Sequence, residues 1–227
     1  GHSPARHFAK RVSSAAGVPV GLVMAAFGGS PLRWWVDGDR LAPLAENALE
    51  MLAAAGGRPR GVLWYQGEAD CFEFSTADYA ERFGRLVTLL RDRLESPGLP
   101  FYTAQLARCT MLVEDDQDSQ WGALREQQRQ AAHRLPGVHI VPTGDLPLYD
   151  FIHLSAAANL VLAERLADAA LAEGYGLPRD WRAPEPVEVV RGDARTVRLT
   201  FAPIRNWIND FGLPVARCPF TIVDGAG

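Results

Sequence analysis

A chain of 227 residues, 48% of them hydrophobic, is long enough for one ordinary domain with a small appendage and too apolar for wholesale disorder. Its 16 prolines and 21 glycines are scattered without period, which excludes collagen-like and low-complexity architectures. The formal charge of -4 argues against a general nucleic-acid binder, and no apolar run approaches the ~20 residues of a membrane-spanning helix.

In chain order, Ser3-Pro4 predicts a helix start and Gly17 its stop. Val18 to Phe27 (VPVGLVMAAF) reads as a buried strand. Leu41, Leu44, Ala48, Leu49 and Leu52 recur at helical spacing. Gly61 to Tyr65 predicts a second strand. Ser75 reads as the cap of a helix whose face carries Tyr79, Phe83, Leu86, Val87, Leu90 and Leu94. Phe101 to Leu106 is a third strand, and a polar helix begins near Trp121. The acidic run Glu114-Asp115-Asp116 with Asp118 reads as a solvated loop. Val138 to Val141 is a fourth strand, and Ser155 caps a last helix ending near Gly174.

This strand–helix rhythm over residues 1–178 predicts an α/β domain, a parallel sheet with helices on both faces, with ligands at the carboxyl ends of the strands. Residues 179–187 are rich in proline and charge and read as a linker. Residues 188–227 (VEVV, TVRLTF, PFTIV) read as a β-rich segment, too short to stand as a domain alone.

The segments after the strands carry the chemistry. Gly28-Gly29-Ser30-Pro31 brings backbone N–H groups close to a ligand, or makes a plain tight turn. Gln66-Gly67-Glu68-Ala69-Asp70 sets an amide and two carboxylates directly after an apolar strand. Asp150-Phe151-Ile152-His153 is a D-x-x-H step. There a carboxylate can hold one imidazole nitrogen and leave the other as a general base. Cys71, Cys109 and Cys218 form no C-x-x-C pair, and the other histidines lack metal-ligand spacing, so no metal site is expected.

GVPVGLVMAAFGGSPLRWW, GVLWYQGEAD, WGALREQQ and DFIHLS, in this order, resemble the sialate O-acetylesterase and acetylxylan esterase family of the SGNH/GDSL hydrolases over residues 3–176. The resemblance implies a flavodoxin-like α/β/α sandwich bearing a serine esterase that needs no cofactor. It assigns the base to His153, its orienting acid to Asp150 with Glu68 as competitor, and the oxyanion donors to Gly29 and the side chain of Gln66. Gly28, Trp34 and Trp35 are the substrate-binding candidates, since aromatic faces stack on sugars. Core packing is the alternative for both tryptophans. Arg33 stands where family members more often carry an acid.

The family's nucleophile sits on a G-x-S-N-type turn after a first strand, and this sequence contains no such block. Ser3 reads as a helix cap, and Ser30 lies on the wrong loop. The expectation is therefore a segment of a longer protein, whose preceding part supplies the first strand and the serine. The substrate would be an acetylated carbohydrate, with neither nucleic acid nor membrane as partner. The family places such enzymes outside the cell or in the periplasm. A catalytically inactive sugar-binding homologue is the rival reading. A flavin or nucleotide binder is disfavoured because neither G-x-G-x-x-G nor a Walker motif is present.

Overall fold

The computed structural model describes residues 3–111, 115–193 and 195–203. The expected strand PFTIV, and Cys218, lie outside them. The chain divides into two units, residues 1–182 and 183–227.

The first unit is a mixed α/β fold built on three parallel strands, in the order β3–β4–β5. These are Val62–Trp64, Phe101–Ala104 and Val138–Val141, with Val62 opposite Phe101 and Phe101 opposite Val138. Alternation along each strand sorts the core into two layers. Val62, Trp64, Phe101 and Val138 face a cluster that includes Ala45, Phe83, Leu86, Val87 and Leu124. Those residues come from α2 (Pro43–Ala54), α4 (Tyr79–Arg93) and α5 (Asp115–Arg134). Leu63, Tyr102, Ala104 and Val141 face the opposite cluster, built from α1 (Ala5–Ala16) and α6 (Ala156–Tyr175). The buried face of α6 interleaves Ala158, Ala163, Ala167 and Ala170 with Leu162 and Leu166, and its small residues let that helix lie close to the sheet.

Local signals explain the ends of these helices. Ser3 Oγ accepts the Ala5 N–H at 3.2 Å, and α1 stops at Gly17 in the left-handed region. Ser155 Oγ accepts the Ala158 N–H at 3.2 Å, as the sequence predicts. Arg165 on α6 reaches back to Asp145 at 2.7 Å and to the Pro142 carbonyl at 2.7 Å, fixing the segment that leaves β5.

The structure departs from the sequence reading in several places. Residues 18–27 form no strand. Among the described residues they have no ladder partner, and Leu22, Val23, Met24 and Phe27 are exposed, Phe27 by 56%. A strand exists only through pairing, and among the described residues β3 is paired on one side alone, to β4. A small antiparallel hairpin, β1 (Val36–Asp37) with β2 (Arg40–Leu41), turns at Gly38 and was not expected. The short helix α3 (Glu68–Phe72) occupies the polar stretch after β3. Ser75 does not cap α4, which starts at Tyr79; its hydroxyl instead donates to Asp70 Oδ1 at 3.2 Å. Residues 115–118 belong to α5 rather than to a loop.

In the second unit β6 (Glu185–Arg191) pairs antiparallel with β7 (Val197–Ala202). Its first strand starts inside the stretch that reads as linker. Among the described residues no helix is long and apolar enough to cross a membrane.

Leu162 is fully buried between α6 and the sheet. Leu162→Ala should cost about 2–5 kcal/mol, read as a lower urea midpoint with an unchanged m-value.

Candidate functional site

The expected residues gather at the carboxyl ends of the strands. The turn after β5 is closed by a bridge between Leu148 and Leu154, with Tyr149 N–H donating to the His153 carbonyl at 2.7 Å. The Thr110 N–H, from the segment after β4, donates to the Phe151 carbonyl at 2.9 Å. Inside this turn Asp150 Oδ2 lies 2.7 Å from His153 Nδ1. Asp150 Oδ1 accepts the backbone N–H groups of Ile152 at 2.9 Å and His153 at 2.8 Å. These two amides and the imidazole hold the carboxyl down at about 2, so it is ionised at any ordinary pH. His153 is well exposed, and its Nε2 has no hydrogen-bond partner among the described residues. Held by an ionised acceptor at Nδ1, an imidazole presents Nε2 as a base.

Glu68 opens α3 and is only partly exposed. Burial pushes its carboxyl pKa up, while its own backbone N–H, the charge of His153 and the Gly67 N–H pull it down. The direct hydrogen bond to the imidazole belongs to Asp150, and Glu68 acts on it through space.

Gly28-Gly29-Ser30 turns sharply, with Gly29 at φ +69. Among the described residues no acceptor takes the Gly28 or Gly29 N–H. Ser30 is buried and fully engaged. Its hydroxyl donates to the Phe27 carbonyl at 2.8 Å and accepts Trp35 Nε1–H at 3.0 Å. It is therefore a brace for Trp35 and the turn.

Gln66 is placed otherwise than the resemblance implies. Its amide nitrogen donates to the Ser30 carbonyl at 3.0 Å and to Asp70 Oδ2 at 2.6 Å, while its Oε1 accepts from the Tyr79 hydroxyl at 3.0 Å. Both amide hydrogens are spent inside the protein, leaving none to point at a ligand. The two tryptophans also divide. Trp35 is buried edge-on against Trp64, their centroids 5.2 Å apart, and belongs to the core. Trp34 is 42% exposed beside Phe27 and Arg33, so of the pair it alone presents a face to a ligand.

Sequence reasoning missed the polar residues beneath the site. Gln128 Nε2 donates to the Gln66 carbonyl at 2.9 Å, and its Oε1 accepts the Leu106 N–H at 2.8 Å. Tyr79 appeared only as part of an apolar helix face, and a hydroxyl at such a position carries no periodic signal. Asp70 is legible as the last carboxylate of its cluster, four residues after Gln66. Its partners across the fold are not. Among the described residues no group of three His, Cys, Asp or Glu could hold a metal.

A sequence family described as carbohydrate esterase, sialic acid-specific acetylesterase, matches residues 1–172. A probable carbohydrate esterase of Arabidopsis thaliana is 31% identical over 154 residues, covering 67% of this chain and 55% of the relative. The chain thus spans about half the length of that curated relative. A carbohydrate acetylesterase from Xanthomonas citri superposes with a TM-score of 0.75 at 27% identity, over 87% of this chain and 46% of that one. The crystal structure of a protein from Arabidopsis thaliana gives 0.67 at 30% identity, over 77% and 70%.

Asp150 and Glu68 carry opposite pH signatures. The Asp150 pKa is depressed from 3.8 to about 2, so the stability it contributes is present above the ordinary value and lost as pH falls through that interval. The Glu68 pKa is raised, so its contribution is present below the ordinary carboxylate range and lost as pH rises. Thermal unfolding should show Glu68→Gln gaining more relative to the parent at pH 7 than at pH 4. Asp150→Asn should lose more at pH 7 than at pH 2. A Cβ at Gly67 would stand 2.7 Å from Leu124 Cδ2, at φ +144. Gly67→Ala should therefore lower the melting temperature by about 4–10 °C.

Proposed function

Because the chain belongs to this carbohydrate esterase family, we propose that it forms the acid–base and oxyanion half of a serine esterase that removes acetyl groups from sugars. The observation that carries the reading is the Asp150–His153 pair, 2.7 Å apart, with Nε2 open to solvent at the same end of the sheet as the Gly29 turn. Asp150 rather than Glu68 is the orienting acid, since it makes the bond to Nδ1.

The nucleophilic serine is supplied by a further strand of the same protein. Two observations support its place. Among the described residues the outer edge of β3 is unpaired, and residues 18–27 offer an apolar stretch with no strand partner. A strand seated between them, followed by α1, makes a right-handed crossover on the face opposite α4 and α5. Strand order then reverses at that strand, giving a flavodoxin-like sandwich with the serine at its switch point.

In the reaction the serine oxygen attacks the acetyl carbonyl carbon as His153 Nε2 takes its proton. Asp150 stabilises the imidazolium that forms. The Gly29 N–H donates to the carbonyl oxygen as it becomes an oxyanion. Collapse expels the sugar oxygen, which receives the proton from His153. Water, deprotonated by the same imidazole, then attacks the acetyl-enzyme; the imidazolium returns the proton to the serine oxygen as acetate leaves. Trp34 provides a face for the sugar ring. Sialic acid is the substrate the family description favours, with plant polysaccharide acetates as the other sugar class.

Acetate release from O-acetylated sialic acid and from acetylated xylan tests this, using the protein that carries the added strand. His153→Ala should lose at least ~1000-fold and Asp150→Asn roughly 100- to 10,000-fold in kcat. Binding of the acetylated sugar without turnover would favour an inactive homologue. A rate indifferent to His153→Ala would overturn the assignment of the base.

A further inference from the structure

Asp70 has no exposed surface, yet four donors converge on its carboxylate. Oδ2 accepts the Leu32 backbone N–H at 2.9 Å and Gln66 Nε2–H at 2.6 Å. Oδ1 accepts from the Ser75 hydroxyl at 3.2 Å and from Arg82 at 3.3 Å. Arg82, largely buried itself, balances the charge and also holds Asp78 and the Ser75 carbonyl. Leu32 lies three residues beyond Gly29, and the second hydrogen of Gln66 goes to the Ser30 carbonyl. One carboxylate therefore grips the glycine turn directly through Leu32 and indirectly through Gln66.

We propose that Asp70 is the positioning residue for the oxyanion donor, a claim that rests on the esterase reading for its catalytic part. Asp70 touches neither substrate nor base. It fixes the far end of the Gly28–Ser30 turn, while Gln66 fixes the Ser30 peptide, so the Gly29 N–H keeps one direction. An exposed turn with a glycine pair has many conformations to lose, and a donor pays off in the transition state only when its direction is set beforehand. Asparagine cannot substitute cleanly. All four partners are donors, and asparagine places an N–H against two of them whichever way it turns. This assigns Gln66 a different part from the one its sequence position implies: it transmits the anchor and does not itself hold the oxyanion.

The test compares Asp70→Asn, the variant least disturbing to folding, with Asp70→Ala and with Leu171→Ala, a buried substitution at the far end of α6. Amide hydrogen exchange at Leu32 should speed up roughly tenfold in Asp70→Asn, and more in Asp70→Ala, while β4 and β5 stay protected. On an aryl acetate, in the protein that carries the added strand, kcat should fall about 100-fold with KM within about twofold. Leu171→Ala, brought to the same melting temperature, should keep the parent kcat. Unchanged exchange at Leu32 would overturn the proposal. So would a kcat loss that Leu171→Ala reproduces at equal stability. If the parent itself turns over no ester, the esterase reading fails, and the exchange measurement still decides whether Asp70 anchors the turn.

Discussion

A carboxylate taken wholly out of water is costly unless every lone pair is used, and Asp70 meets that condition by joining segments far apart in sequence. Leu32 comes from the turn after residues 18–27, Gln66 from the end of β3, and Arg82 from α4. Once these donors are committed, the neighbouring groups have little freedom. The Ser30 carbonyl faces Gln66, the Ser30 hydroxyl braces Trp35, and Tyr79 and Gln128 close the network from below. Hydrogen bonds at such a centre reinforce one another because little water competes for them. The apolar clusters on either face of the sheet stabilise the fold. The Asp70 network decides where its loops lie.

The Asp150–His153 turn is organised independently and locally. A D-x-x-H step closes on itself, two backbone amides hold one carboxylate oxygen, and the imidazole takes the other. Its link to the remainder of the site runs through the Thr110 bond to Phe151 and through the charge of Glu68. The Asp150–His153 pair and a glycine turn whose N–H groups have no acceptor among the described residues thus stand at one end of the sheet on separate supports. Among the described residues the outer edge of β3 and the apolar stretch of residues 18–27 are unpaired. On the proposed reading a further strand seated there would satisfy backbone groups, cover hydrophobic surface and bring the nucleophile between the two supports.

What the sequence revealed follows the range of the interactions involved. The cap at Ser155 depends on neighbours along the chain, and it appears where the residues place it. The Asp150–His153 contact spans three residues and is legible for the same reason. Residues 18–27 carry the composition of a buried strand, but pairing is a property of neighbours in space, and here they stand unpaired. The identity of Gln66 marked it as polar and well placed, yet the direction of its amide is set by Asp70 and Tyr79, which no spacing shows. Trp34 and Trp35 are adjacent and alike in sequence. Only the packing of Trp35 on Trp64 separates a core residue from an exposed one.

The most direct measurement is fluorophosphonate labelling of the protein that carries the added strand, with the modified residue located by peptide mass mapping. The account predicts one adduct per chain, on a serine of that strand, lost on His153→Ala. An adduct on Ser30 or Ser3, or one that survives His153→Ala, would contradict it.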